Sequence, residues 1–542
     1  MMPNFPRLFL PVAPILAIVW FLGTPVSPAF AAPPSPVNWN RVTDNPNDPL
    51  DLSWQGIIVH QAGKEGSWIE RSLESRFHVN LHPIFMDSFG QQRRRPLLFC
   101  SGNIPDVIWD GDPLGVRKNL RNGFITEIPY EVILKNAPTY VKLLNEHGRE
   151  AWLYSHDKGK NYGLPTFFAD GDRPRIGSWR QDWLRKVGIE KTPETVEEMH
   201  EAFYRFRYND PDGNGLQDTY GWSPAMFHWS VMFSEVFAAF DVLPFDFMEK
   251  DGKVVWGGIL PGAREGLATL HKWYEEGLLD PDFMLDMNGT SGDRKFASGR
   301  VGYLYPLDET RAYDASTPNT LIANLREFHP GAEMVPAPPM RNAQGQRRGR
   351  TWGGAGHILQ LGKPVEKRPE KVLRFLHMME AIAKDKSLYL AAKFGEEGKQ
   401  WSQTPARGLE LLEPYRSDRR LSQAELLPAT NFFFPSVISE FETGTTGTEN
   451  ALWHETYCKT EWGMKNVLGK SDVLPSASRY LGDLRNYQTK FFLEVVVGKR
   501  PVGDFDIFVA EWKRRGGDIL TGEANEAYAE MKKIWKRVGA DD

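Results

Sequence analysis

Three short apolar runs near the start of the chain constrain the fold most: Trp54-Gln55-Gly56-Ile57-Ile58-Val59-His60, Val79-Asn80-Leu81-His82-Pro83-Ile84-Phe85 and Asp106-Val107-Ile108-Trp109. Each has the length and the apolar, β-branched or aromatic content of a buried strand. Between the first two lies Ser67 to Phe77, where Trp68, Ile69, Leu73 and Phe77 fall on one helical face. Strand, helix and strand in this rhythm predict an open, mostly parallel α/β sheet. Later apolar periodicity predicts helices over Thr195 to Tyr208, Gly262 to Glu276, Pro369 to Lys384 and Asp506 to Arg515. No internal repeat or low-complexity tract interrupts the pattern.

At 542 residues the chain is too long for one hydrophobic core, so two or more lobes are expected. Hydrophobic residues at 41% and charged residues at 25% are those of a globular protein rather than a disordered or membrane-embedded one. A net charge of −5 with no basic block carries no footprint for nucleic acid. The 18 Trp, 17 Tyr and 32 Phe exceed ordinary use and suit both a large core and a cleft that stacks flat apolar faces such as sugar rings.

The first residues read as an export signal. One positive charge lies in Met1 to Arg7, Leu8 to Leu22 is almost wholly apolar, and Ala29-Phe30-Ala31 fits a signal-peptidase site, so 1–31 is expected to be removed. No cysteine stands near that site to take a lipid, which points to a periplasm. Residues 32–52, rich in Pro and Asn, read as a loose arm. Cys100 and Cys458 read as two buried free thiols rather than a disulfide scaffold.

Several short motifs then line up in one order. Ser101-Gly102-Asn103-Ile104-Pro105-Asp106-Val107, Tyr162-Gly163-Leu164-Pro165, Arg180 to Ile189 (carrying Asp182-Trp183-Leu184 and Gly188), Phe296 to Gly302, and Trp512 to Tyr528 together resemble family 1 extracellular solute-binding proteins of ABC importers. Size and motif set resemble most the large subgroup that includes alginate- and oligosaccharide-binding proteins. The resemblance implies a two-lobed type 2 periplasmic binding fold with a hinged cleft and additional C-terminal helices. It implies a monomer that takes up a sugar or oligosaccharide and delivers it to the permease subunits of the importer. The expected division places 53–165 in the first lobe with 297–355 returning to it. It places 166–296 in the second lobe with most of 356–505, and leaves 506–542 as terminal helices.

Asp210-Pro211-Asp212-Gly213-Asn214-Gly215-Leu216-Gln217-Asp218 is the most specific local feature. Oxygen side chains at positions 1, 3, 5 and 9, with Gly at 6, match the first part of an EF-hand calcium loop. Asp210, Asp212, Asn214 and Asp218 would supply side chains, Leu216 a backbone carbonyl and Thr219 a further oxygen. Position 12 is Gly221 rather than Glu. A structural calcium is expected there.

Ligands of open α/β sheets bind beyond the carboxyl ends of strands. That rule selects Gln61, Trp109, Asp110, Tyr305, Asp308 and Glu309, together with Tyr162, Phe167 and Phe168, Trp179 and Arg180, and Trp352 in the glycine-rich stretch 349–356. Aromatic faces would stack on sugar rings and polar groups would bond hydroxyls. A secreted glycoside hydrolase or a polysaccharide-binding surface protein are the alternatives, but no motif pairs two carboxylates for hydrolysis. His454-Glu455-Thr456-Tyr457-Cys458 lacks the second zinc-binding His, and Gly469-Lys470-Ser471 lacks the spacing of a phosphate loop.

Overall fold

A computed structural model describes residues 37–57, 64–226, 228–285, 291–307, 310–313, 320–404, 408–426, 436, 441, 453 and 455–540. Segment 1–31, expected to be an export signal, the three consecutive residues Phe432, Phe433 and Phe434, and His454 lie outside them. Among the described residues nine strands build two sheets: β1 (Leu50–Ile57), β2 (Val79–Met86), β3 (Val107–Asp110), β4 (Gly163–Phe167), β5 (Ile176–Arg180), β6 (Tyr220–Trp222), β7 (Val301–Leu307), β8 (Met334–Ala337) and β9 (Ala355–Leu361). The first sheet has the order β2-β1-β3-β9-β4 and the second β8-β5-β7-β6. Each sheet centres one lobe.

In the first sheet β1 runs parallel to β2 and β3, and β9 runs antiparallel to β3 and β4. Leu50, Leu52 and Trp54 turn inward from β1 while Asp51 is exposed. Trp54 meets Phe375 of the helix Glu370–Lys384 edge-on at 5.0 Å, covering that face. The helix Trp68–Phe77 starts where Ser67 Oγ accepts from Glu70 N at 3.2 Å and Glu70 accepts from Gly66 N at 2.7 Å. Thr195 caps the helix Val196–Tyr208 in the same way, through Glu198 N at 3.2 Å. Side-chain oxygens at these starts satisfy amides that the helix itself leaves open.

The described part of the arm expected to be loose, 37–52, is tied down. Residues 50–52 already belong to β1, and Asp44, 2% exposed as a side chain, receives the guanidinium of Arg374 at 2.8 Å. Arg374 also donates to the carbonyls of Phe77 (2.7 Å), His78 (3.1 Å) and Asp48 (3.2 Å). One guanidinium thus fastens the arm to the helix and the sheet.

Two expected boundaries need correction. Segment 297–355 does not return wholly to the first lobe, because β7 and β8 both belong to the second sheet; β8 pairs with one edge of β5 and β7 with the other. Within 356–505, β9 and the helix Glu370–Lys384 belong to the first lobe instead: Glu380 on that helix accepts the amides of Thr139 (2.8 Å) and Tyr140 (3.2 Å). Strand-like runs in a sequence do not reveal which sheet edge they complete.

The second lobe spends its aromatics on a core. Trp179 lies 4.5 Å from Tyr303 and 5.6 Å from Phe203, and Trp183 lies 5.5 Å from Phe206. Within it Glu235 is fully buried, bonded by the Tyr303 hydroxyl, and burial pushes its carboxyl up to about 8.

Chain passes between the sheets lie side by side. Phe168 N donates to Gly354 O, Gly353 N to Gly171 O, Arg175 N to Arg350 O and Thr351 N to Met464 O, each at 2.8 Å. Glycine is required here: a Cβ on Gly354 would stand 1.4 Å from His147 O, and one on Gly171 would stand 2.3 Å from Gly353 O. The C-terminal helix Asp518–Val538 spans the junction. Asn525 bonds Val254 N and O (2.9 and 2.8 Å) on the second-lobe side, while Trp535 donates to Arg149 O (3.0 Å) and Arg537 pairs with Glu131 (2.7 Å) on the first. Among the described residues no helix is long and apolar enough to cross a membrane. Both cysteines are free as expected, and Cys458 is buried; Cys100, the last residue of the helix Ser88–Cys100, is exposed rather than buried.

Two predictions follow from the packing. Arg374→Met should cost about 3–5 kcal/mol in urea unfolding, because it strands a buried carboxylate. Adding Asp44→Asn should restore part of the loss. For Glu235, a carboxyl raised from the usual 4.5 to about 8 keeps its proton in the folded chain where the unfolded chain has released it. Stability therefore falls as pH rises from about 4.5 to about 8. Glu235→Gln, which keeps an acceptor for Tyr303, should melt higher than the parent at pH 8 and lose that advantage at pH 5.

Candidate functional site

Strand direction decides which residues meet at the crossing. In the first sheet β3 and β4 run toward it, so Trp109, Asp110, Phe167 and Phe168 come to the junction, joined by His357 from the start of β9. In the second sheet β5 leaves the crossing, while β6, β7 and β8 return to it. Tyr305 near the end of β7 and the segment after Trp222, with His228 and Trp229, therefore face the same region.

Trp352 sits on the crossing itself and is 56% exposed, against the burial of most other Trp side chains. The Arg175 guanidinium lies 4.3 Å from its ring centroid and that of Arg350 5.4 Å. Arg350 is buried and pairs with Asp246 at 3.3 Å. Burial, reinforced by Arg350, lowers Arg175 to about 10. Next to them Arg485 lies 3.8 Å from the Trp229 ring centroid and 3.4 Å from Asp472. His228 is held below its ordinary value by burial and then by the Arg350 and Arg485 charges. Tyr305 is buried and bonds Ser234 Oγ at 2.9 Å; burial pushes its hydroxyl up to about 12.

The first-lobe side is more aromatic. Trp109 and His357 lie 4.6 Å apart, and Phe168 meets His357 edge-on at 5.7 Å. Burial, with Lys470 nearby, lowers His357 to about 3, so its ring is neutral at physiological pH. Lys470 Nζ donates to Gly356 O at 3.0 Å. Asp110 is buried and occupied by Arg95 (3.1 Å), Gln360 (3.0 Å) and the amide of Asp112 (3.0 Å). A cavity of about 940 Å³ opens beyond β1 and β3, lined among others by Ile57, Arg95, Phe99, Trp109, Asp110 and Asn119.

Of the residues selected from sequence, Trp109, Asp110, Phe167, Phe168, Tyr305 and Trp352 gather at the crossing, although Phe167 is wholly buried and Tyr305 nearly so. Tyr162 does not: it precedes β4 and lies at the far end of that strand. Trp179 and Arg180 end a strand that leaves the crossing. Trp179 is core, and Arg180 is buried and fixed bidentately to Asp182 at 2.9 and 2.6 Å. Gln61, Asp308 and Glu309 lie outside the described residues. The sequence reading missed Arg175, His228, Trp229, Arg350, His357, Lys470 and Arg485. Applying the strand-end rule to Trp222 as well would have found His228 and Trp229.

The loop between the helix Val196–Tyr208 and β6 is wound on its own side chains. Asp210 accepts from the amides of Gly213 (3.0 Å), Asn214 (3.0 Å) and Gly215 (2.9 Å), and Asn214 Nδ2 donates to Asp212 (2.9 Å) and Asp218 (3.2 Å). The Gly215 amide helps lower Asp210, while burial and then the Asp210 carboxyl raise Asp212. Carboxyl groups crowded in this way fit a cation, and the Asp210, Asp212, Asn214 and Asp218 side chains are at hand. Thr219 does not fit, because its hydroxyl is buried and donates to Phe206 O at 2.6 Å. Among the described residues no group of three or more His, Cys, Asp or Glu side chains is already gathered as a metal centre.

No sequence-family profile matches the chain. It is 23% identical over 500 residues to the polygalacturonan/rhamnogalacturonan-binding protein YtcQ of Bacillus subtilis, covering 90% of this chain and 93% of that one. Its fold matches the alginate-binding protein AlgQ2, solved without calcium ion, at TM-score 0.61 and 18% identity over 89% of this chain and 98% of that one. It matches an EF-hand mutant of the substrate-binding protein FusA of Streptococcus pneumoniae, in complex with fructo-nystose, at TM-score 0.62 and 18% identity over 89% of this chain and all of that one. With two α/β lobes, a glycine-lined crossing and terminal helices, the chain has the type 2 periplasmic-binding fold of these solved proteins and is similar over most of its length to the glycan-binding protein YtcQ.

Proposed function

We propose that this protein is the exported capture subunit of an importer, which binds an oligosaccharide between its lobes in the periplasm and hands it unchanged to a permease. The observation that carries the reading is Trp352, an exposed indole on the crossing where strand ends of both lobes converge. The named relatives bind glycans, and an indole face suits the apolar face of a sugar ring. Phe168 and His357 offer aromatic surface from the first lobe, and Trp229 from the second. Covering about 100 Å² of indole on closure is worth roughly 2–3 kcal/mol at about 25 cal/mol per Å², enough to favour a closed clamp once ligand is present.

Calcium at Asp210, Asp212, Asn214 and Asp218, with the Leu216 carbonyl, belongs to the same reading. The ion would supply positive charge to crowded carboxyl groups and hold the loop entering β6. Support comes from the donor set and from the EF-hand of the relative FusA.

Titration calorimetry with oligosaccharides tests the binding reading. Trp352→Ala should lose about 2 kcal/mol, roughly thirtyfold at about 1.4 kcal/mol per decade, with unchanged unfolding. Unaltered affinity would remove Trp352 from the site, and recovery of cleaved sugar would exclude a pure binding role. Chelation should lower the melting temperature and added calcium restore it, since a ligand of the native state stabilises it. Asp212→Asn should abolish that response.

A further inference from the structure

The cavity of about 940 Å³ beyond β1 and β3 is a groove between two helices, Ser88–Cys100 and Gly115–Arg121. Gln91, Arg95 and Phe99 line it from the first helix, and Gly115, Asn119 and Asn122 from the second and its end. From Gln91 to Phe99 the first helix rises about 12 Å, at about 1.5 Å per residue, so the groove is longer than a single sugar ring. Its volume lies at the upper end of the roughly 300–1,000 Å³ usual for small-molecule sites. Every described residue of the lining belongs to the first lobe, whereas Trp352 sits on the crossing. Groove and crossing nevertheless adjoin. Trp109 and Gly111 line the groove, the Trp109 ring lies 4.6 Å from His357, and a Cβ on Gly111 would stand 3.5 Å from His357 Nδ1.

Charge in the described lining is nearly balanced. Arg95 pairs with Asp110 at 3.1 Å and Lys118 with Asp112, which leaves Arg121 as the one further charged side chain among those residues. Recognition there falls to neutral polar groups. Planar amides from Gln91, Asn119 and Asn122 stand beside apolar surface from Pro96, Phe99 and Phe124. The Asn119 amide is held in place by donating to Gln360 at 2.7 Å. Gln91, Arg95 and Trp109 each keep a buried N–H, at Nε2, Nε and Nε1, with no acceptor in the protein. A buried donor without an acceptor is costly, and a guest rich in oxygen lone pairs along that wall relieves the cost. Amides and donors beside apolar surface match a sugar ring, which carries hydroxyl oxygens at its rim and C–H groups on its faces.

We propose that this groove takes one end of the oligosaccharide, so that the chain runs from the crossing past Trp109 toward Asn122 and is gripped at that end by the first lobe alone. This rests on the oligosaccharide-binding reading above and adds where the chain lies beyond the crossing. The test is calorimetry on the full mature chain with galacturonate, fructan, glucan and xylan oligomers from dimer to pentamer. Asn122→Trp places a ring in the groove from an exposed helix end, away from the core. It should weaken the tightest-binding oligomer by at least about tenfold, a loss of about 1.4 kcal/mol, with an unchanged melting temperature. On the parent protein, which needs no variant to fold, that oligomer should slow hydrogen exchange across 111–124 as well as across 349–356. Unchanged affinity in a folded Asn122→Trp, or protection at 349–356 with none at 111–124, overturns the groove assignment and leaves the oligosaccharide reading in place. No binding in any of the four series overturns both.

Discussion

Backbone approaches backbone at the crossing more closely than any side chain would permit, and the two lobes take their places from that contact. Gly148, Gly171 and Gly354 meet one another's segments where a Cβ would overlap a carbonyl. The hydrogen bonds from Phe168, Gly353, Arg175 and Thr351 lock neighbouring passes edge to edge. Trp352, proposed above to face the ligand, stands on that same stretch of chain, so binding there would be coupled to closure.

Around the hinge the fold adds restraint. The helix Asp518–Val538 touches both sides, through Asn525 on one and Trp535 with Arg537 on the other. Trp256 stacks on Trp512 at 5.6 Å just before the bend at Gly516, which carries φ of 119°. The helix thus ties the two sides together. The Arg374 cluster does the corresponding work at the N-terminal end, where polar groups are buried only because each one is paired.

Much of the lobe interior was legible in the sequence. Thr195 followed by Glu198 marks a helix start, and the helix Val196–Tyr208 begins there. The runs at 54, 79 and 106 became neighbouring strands in a parallel arrangement. Site residues were legible only in part. Trp109 and Trp352 stand at the crossing, but Tyr162, Trp179 and Arg180 do not, because β4 begins and β5 ends on the far side. Selecting residues past a strand requires knowing which way the strand points, and that depends on partners hundreds of residues away. The loop at Asp210 shows the reverse: the bonds of its Asp210, Asp212 and Asn214 side chains join residues at most five apart, so that winding was readable directly.

The sequence by itself determined what short-range chemistry can determine: the strand and helix segments, their caps, the acidic loop and the family motifs. The tertiary structure alone decided which sheet received β7, β8 and β9, and which cations surround Trp352. Arg175 and Arg350 come from segments that share no local pattern. They become one environment only when two lobes fold against a shared hinge, because electrostatic and stacking forces act through space and not along the chain.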